Sequence, residues 1–133
     1  MIAAACFLLV GCGTGSSQTA DTSTGNLDVE ELHAKVQAGE DVYLLDVRTP
    51  REYNHERLPF TDALIPCNQL RANLETLPSD TTTRIYTFCR TGRRSAIAAE
   101  ILPKLGYPDV INVKGGITAW KREGCTTEGK GID

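Results

Sequence analysis

Between Leu27 and Arg122, short apolar runs alternate with stretches patterned as helices, and this alternation leaves few folds open. Val42-Tyr43-Leu44-Leu45-Asp46-Val47 is apolar almost throughout, the pattern of a strand covered on both faces rather than one. Ala63-Leu64-Ile65-Pro66, Arg84-Ile85-Tyr86-Thr87-Phe88 and Val110-Ile111-Asn112-Val113 are the other strand candidates. Between them lie a helix opened by Asp28, with Glu31 three residues on and Gly39 at its end, and a helical turn capped by Thr49 with Pro50 at its first position. A helix around Gln69–Leu77, one starting near Gly92 with Pro103 close to its end, and one over Ile117–Arg122 complete the series. Strands alternating with helices predict an α/β domain, its sheet mostly parallel and covered by helices on both faces. Such sheets carry their sites at the carboxyl ends of the strands.

Cys89 stands at such an end. It follows an apolar strand and opens the basic loop Cys89-Arg90-Thr91-Gly92-Arg93-Arg94-Ser95, which leads into a helix. Unpaired N–H groups at a helix start favour an anion before them, and a thiolate there ionises more readily than a free thiol. Gly92 lets the loop turn tightly, and Arg90, Arg93 and Arg94 add positive charge. The arrangement predicts a bowl of N–H groups with sulfur at its base. Asp46, at the end of a buried strand, needs a partner, and Arg48 or a loop arginine can supply it. Glu52 is read as a surface or loop-bracing charge. His33 and His55 lie among polar neighbours and are read as solvated, so no Cys–His dyad is expected. Trp120, at helical spacing from Ile117, is read as core, and Gly115-Gly116 as a turn.

Four segments, in order over residues 28–123, resemble the rhodanese family. The Cys89–Ser95 loop is similar to its C-x-[S/T]-G-x-R-S. Leu44-Leu45-Asp46-Val47-Arg48-Thr49-Pro50-Arg51-Glu52-Tyr53 resembles its L-[L/I]-D-V-R-x-x-x-E-[Y/F]. Gly106-Tyr107-Pro108-Asp109-Val110 with Asn112-Val113-Lys114-Gly115-Gly116, then Ala119-Trp120, resembles its closing stretch. The chain departs from the family's H-I-P-G-A-x-N-I-P, reading Arg57-Leu58-Pro59-Phe60-Thr61-Asp62-Ala63-Leu64-Ile65-Pro66 with one residue inserted.

The resemblance implies a rhodanese-like fold with a sheet of about five strands over residues 27–125. It also implies sulfur transfer through a Cys89 persulfide, from a small anionic donor such as thiosulfate to cyanide or a thiol, with no metal or organic cofactor. The loop, Arg90 to Ser95, would bind the persulfide or donor anion, supported by Asp46 and Arg48. Cysteine phosphatases resembling this fold use C-x5-R; the C-x4-R of Cys89 to Arg94 makes a tighter bowl, suited to one sulfur. Two other readings stay open: a carrier passing persulfide sulfur to a protein partner, and a thiol–disulfide protein pairing Cys89 with Cys67 or Cys125. Cys67 and Cys125 are also candidates to bridge each other in an oxidising compartment.

Composition narrows the partners. Lys and Arg number 14 against 17 Asp and Glu, a near balance that gives no pull toward nucleic acid. The five cysteines make no CxxC pair and only two histidines accompany them, which argues against a structural zinc site. A monomer is expected. Residues 1–12, MIAAACFLLVGC, are apolar and uncharged, too short to span a bilayer, and suit an export signal. Leu9-Val10-Gly11-Cys12 resembles a bacterial lipobox, which implies lipidation of Cys12, a membrane tether and a place on the periplasmic side of the cell envelope. Residues 13–26 read as a flexible Gly/Ser/Thr linker and 126–133 as a disordered tail.

Overall fold

The computed structural model describes residues 23–131, so the signal and lipidation readings on residues 1–12, and the linker as far as residue 22, lie outside the described residues. Five parallel strands form one sheet: β1 (Ser23–Leu27), β2 (Tyr43–Asp46), β3 (Ala63–Leu64), β4 (Ile85–Phe88) and β5 (Asp109–Val113), in the order β1-β5-β4-β2-β3. The helices are α1 (Val29–Gln37), α2 (Pro50–His55), α3 (Arg93–Lys104) and α4 (Gly116–Arg122).

Adjacent strand residues point to opposite faces, and here both faces are buried. Leu45 and Ile85 pack with Ala98, Ala99 and Leu102 of α3. Their neighbours Leu44 and Tyr86 pack with Leu32 of α1 and with Ile117 and Trp120 of α4. This double covering is why the strands read as apolar runs instead of alternating ones.

Three expectations require correction. Residues 23–26, expected in the linker, form most of edge strand β1, paired with β5 from Ser23↔Asp109 to Leu27↔Val113. The strand is built by main-chain pairing, which an apolar pattern does not report. The helix expected over Gln69–Leu77 is two 3₁₀ segments, Cys67–Gln69 and Arg71–Thr76, the second broken at Asn73 (φ −130°, ψ 31°). The tail is docked as far as Gly131. Arg57 and Glu128 exchange backbone hydrogen bonds of 2.7 and 2.9 Å, Trp120 Nε1 donates to the Thr126 carbonyl, and Thr127 Oγ1 donates to the Glu56 carboxylate.

Where the chain departs from the family pattern before β3, other groups hold the turn. Thr61 donates its hydroxyl to the Leu58 carbonyl at 2.8 Å, and the Asp62 carboxylate accepts the Leu44 N–H at 2.8 Å. Leu58 is fully buried, so the turn is anchored in the core.

Candidate active site

β2 and β4 lie side by side, so the segments leaving their carboxyl ends meet. Cys89 leaves β4, and its chain turns back through Gly92, which sits in the left-handed region at φ +96°. The turn aims N–H groups at the sulfur: Gly92 donates to Cys89 Sγ at 3.1 Å and Ser95 at 3.4 Å. Cys89 is fully buried. Burial pushes its thiol up, but the Ser95 hydroxyl and the N–H groups of Ser95, Thr91 and Gly92 more than offset it, so Cys89 ionises below the usual thiol range.

The loop rests on the turn after β5. The Ile117 and Thr118 N–H groups donate to the carbonyls of Cys89 and Arg90 at 3.0 and 3.1 Å. Gly116 permits this approach: a Cβ there would collide with the Cys89 carbonyl oxygen. Gly115-Gly116 is therefore the bracket of the Cys89 loop as well as a strand stop.

The arginines divide their work. Arg94 is held by Glu52 of α2 through hydrogen bonds of 2.7 and 2.8 Å, so it braces α3 against α2. The Arg94 guanidinium, with the Thr49 groups assisting, holds the Glu52 carboxyl down to about 2 against burial. Arg90 and Arg93 are exposed along with Thr91. Arg90 lines a cavity of about 370 Å³ with Arg48, Glu52, His55, Thr118 and Lys121. Asp46 is paired with Arg48, both buried, through contacts of 2.7 to 3.0 Å, and Arg48 also donates to the Glu56 carbonyl.

Among the described residues Cys67 and Cys125 are also free, and they lie on opposite faces of the sheet. That overturns a Cys67–Cys125 bridge. Cys67 shares the face of Cys89, but the trans Arg94–Ser95 peptide stands between them. Its carbonyl accepts from Cys67 Sγ at 3.4 Å, while its N–H points the other way, to Cys89 Sγ. His33, expected in solvent, stacks edge-on against Trp120 with ring centroids 5.6 Å apart.

Two site residues escaped the sequence reading. Asn112 of β5 accepts the Ser95 hydroxyl at 2.6 Å, and Asn26 of β1 accepts from the Asn112 amide at 3.3 Å. A buried Asn inside an otherwise apolar strand was the available signal for the first. Among the described residues no cluster of His, Cys, Asp and Glu suits a metal ion.

Known proteins resemble this chain. The Rhodanese-like domain family pattern matches residues 28–123. The chain is 39% identical over 99 residues to a sulfurtransferase of Allochromatium vinosum, covering 74% of this chain and 89% of that protein. It is 33% identical over 108 residues to the putative sulfur carrier protein YrkF of Bacillus subtilis, covering 81% of this chain and 56% of that one. A rhodanese-like domain protein from Staphylococcus aureus has a crystal structure that superposes with a TM-score of 0.69 at 33% identity, over 80% of this chain and 98% of that one.

Proposed function

The chain belongs to the rhodanese-like domain family of sulfurtransferases, and from that premise we propose that it moves a sulfane sulfur from an anionic donor such as thiosulfate to a thiophilic acceptor such as cyanide or a thiol, through a persulfide on Cys89. The observation that carries the reading is the convergence of the Gly92 and Ser95 N–H groups on Cys89 Sγ.

The steps balance. The Cys89 thiolate attacks the outer sulfur of thiosulfate; the S–S bond of the donor breaks, sulfite leaves with the bonding pair, and the enzyme holds Cys89–S–S⁻. Cyanide or a thiolate then attacks the outer sulfur, and the Cys89 thiolate returns as leaving group. Neither step requires a general base once the thiol is ionised, in keeping with the absence of a histidine in the loop. N–H groups of the loop suit the terminal anion, and exposed Arg90 and Arg93 suit attraction of an anionic donor.

The test is an intact mass of the protein after incubation with thiosulfate. Wild type gains one sulfur atom, Cys89→Ser does not, and cyanide removes the gain with release of thiocyanate. No gain on a fully reduced Cys89 overturns the thiosulfate reading. A second reading, a carrier handing sulfur to a protein, draws on the likeness to the putative sulfur carrier; stable loading with slow turnover on cyanide distinguishes it. The apolar run ending at Cys12 supports export and lipidation at that residue. Metabolic labelling with palmitate is expected to mark wild type and not Cys12→Ala.

A further inference from the structure

Ser95 has one hydroxyl proton and two neighbours that can take it. Asn112 Oδ1 lies 2.6 Å from its oxygen and Cys89 Sγ lies 3.3 Å away. The orientation of the Asn112 amide is not free. Its other side faces the Gly92 carbonyl at 3.5 Å, a group that only accepts, so nitrogen stands there and oxygen faces Ser95. The short contact must then be Ser95 O–H donating to Asn112. What Ser95 turns toward the sulfur is a lone pair, and Cys89 donates its S–H to that lone pair. In the thiol form the chain of donors runs Cys89 to Ser95 to Asn112 to Asn26.

Ionisation reverses the demand at the sulfur. A thiolate needs a donor, and the Ser95 hydroxyl can become one only by leaving Asn112 Oδ1. Asn112 is buried, so the abandoned oxygen loses its partner away from solvent. Once Cys89 carries an outer sulfur, charge moves off Sγ and the hydroxyl can return.

We propose that Asn112 is a positioning residue that competes with the Cys89 sulfur for the Ser95 hydroxyl and so ties ionisation of Cys89 to a turn of that hydroxyl. This rests on Cys89 being the nucleophile. The charged and titratable groups on the surrounding elements are Asp46 at the end of β2 and Arg48 just after it, Glu52, His55 and Glu56 at α2, Cys67 beyond β3, Arg90 in the loop, Arg93 and Arg94 on α3, Lys114 after β5, and Lys121 on α4. The test leaves all of them in place.

The test is the pH dependence of iodoacetamide labelling of Cys89 in the full chain, read on the Cys89 peptide by mass spectrometry so that other cysteines do not contribute. In Asn112→Ala the midpoint is expected to fall by on the order of one pH unit, the scale of one hydrogen bond to a charged acceptor. Ser95→Ala is expected to raise it. Ser95→Ala with Asn112→Ala is expected to match Ser95→Ala alone, because the asparagine acts only through the hydroxyl. Asn112→Val, a β-branched residue suited to the strand, repeats the measurement if the alanine variant folds poorly. A midpoint that stays or rises in folded Asn112 variants overturns the proposal, and so does a fall of equal size without Ser95, which would mean that Asn112 merely shapes the loop. Labelling consumes no sulfur donor, so this outcome is independent of whether thiosulfate loads the protein.

Discussion

The carboxylate of Glu52 and the guanidinium of Arg94, 42 positions apart, meet in two hydrogen bonds of 2.7 and 2.8 Å, one to each carboxylate oxygen, and join α2 to the first turn of the helix that frames Cys89. Arg94 sits beside the N–H of Ser95, so the pair fixes the donor as well as the helix. Glu52 is held at about 2, below its ordinary 4.5. A depressed carboxyl contributes stability above its unfolded value, and the contribution is lost as pH falls through the folded one. Urea unfolding of wild type and Glu52→Gln is therefore expected to differ above pH 4.5 and to converge toward pH 2. Both partners are about one-third exposed, so solvent screening keeps the difference near ~1 kcal/mol or less.

Asp46 and Arg48 form the buried counterpart, and burial reverses the arithmetic. Removing one partner strands a charge without solvent, a change that costs about 3–5 kcal/mol. Arg48→Met is expected to show a loss of that order in urea unfolding. Restoring neutrality with Asp46→Asn in the same chain is expected to recover a large part. A single variant as stable as wild type would mean that solvent reaches the carboxylate.

What could be read from the chain follows the range of each interaction. The Cys89 loop and the Asp46–Arg48 pair are local, so residue order alone places their partners together. The buried strands declare themselves because both faces are covered. The Glu52–Arg94 and Ser95–Asn112 contacts join residues far apart in sequence, and only the packing of helices on the sheet brings them into register. β1 carries Ser-Thr-Gly-Asn-Leu, a composition suited to a linker, and becomes a strand because β5 offers it an open edge.

Gly116 and Gly39 both have positive φ, +56° and +74°, yet their surroundings differ. A Cβ on Gly39 meets nothing within 4 Å, so Gly39→Ala is expected to cost only the backbone strain, about 1–2 kcal/mol. A Cβ on Gly116 would collide with backbone atoms of Cys89 and Arg90, which cannot step aside without moving the loop. Gly116→Ala is expected to cost more than about 3 kcal/mol and to slow Cys89 labelling in whatever folded protein remains. Thermal unfolding of the two variants checks the contrast, and equal losses would show that the loop yields.

The docked tail gives the last prediction. Trp120 is the chain's only tryptophan, and its indole N–H donates to the Thr126 carbonyl at 2.9 Å. The same segment carries Thr127, which donates to the Glu56 carboxylate, and Glu128, which pairs with Arg57. Glu56 in turn offers its carbonyl to buried Arg48, which ties the tail to the charged pair beneath the Cys89 loop. Ending the chain at Cys125 removes the indole's acceptor and one of the partners of the Glu56 carboxylate. The truncated protein is expected to show red-shifted tryptophan emission and a loss of about 2 kcal/mol, the scale of two hydrogen bonds removed from partly buried groups. Unchanged emission and stability would mean that the tail rests on the domain without contributing to it, returning residues 126–133 to the solvated reading of the sequence.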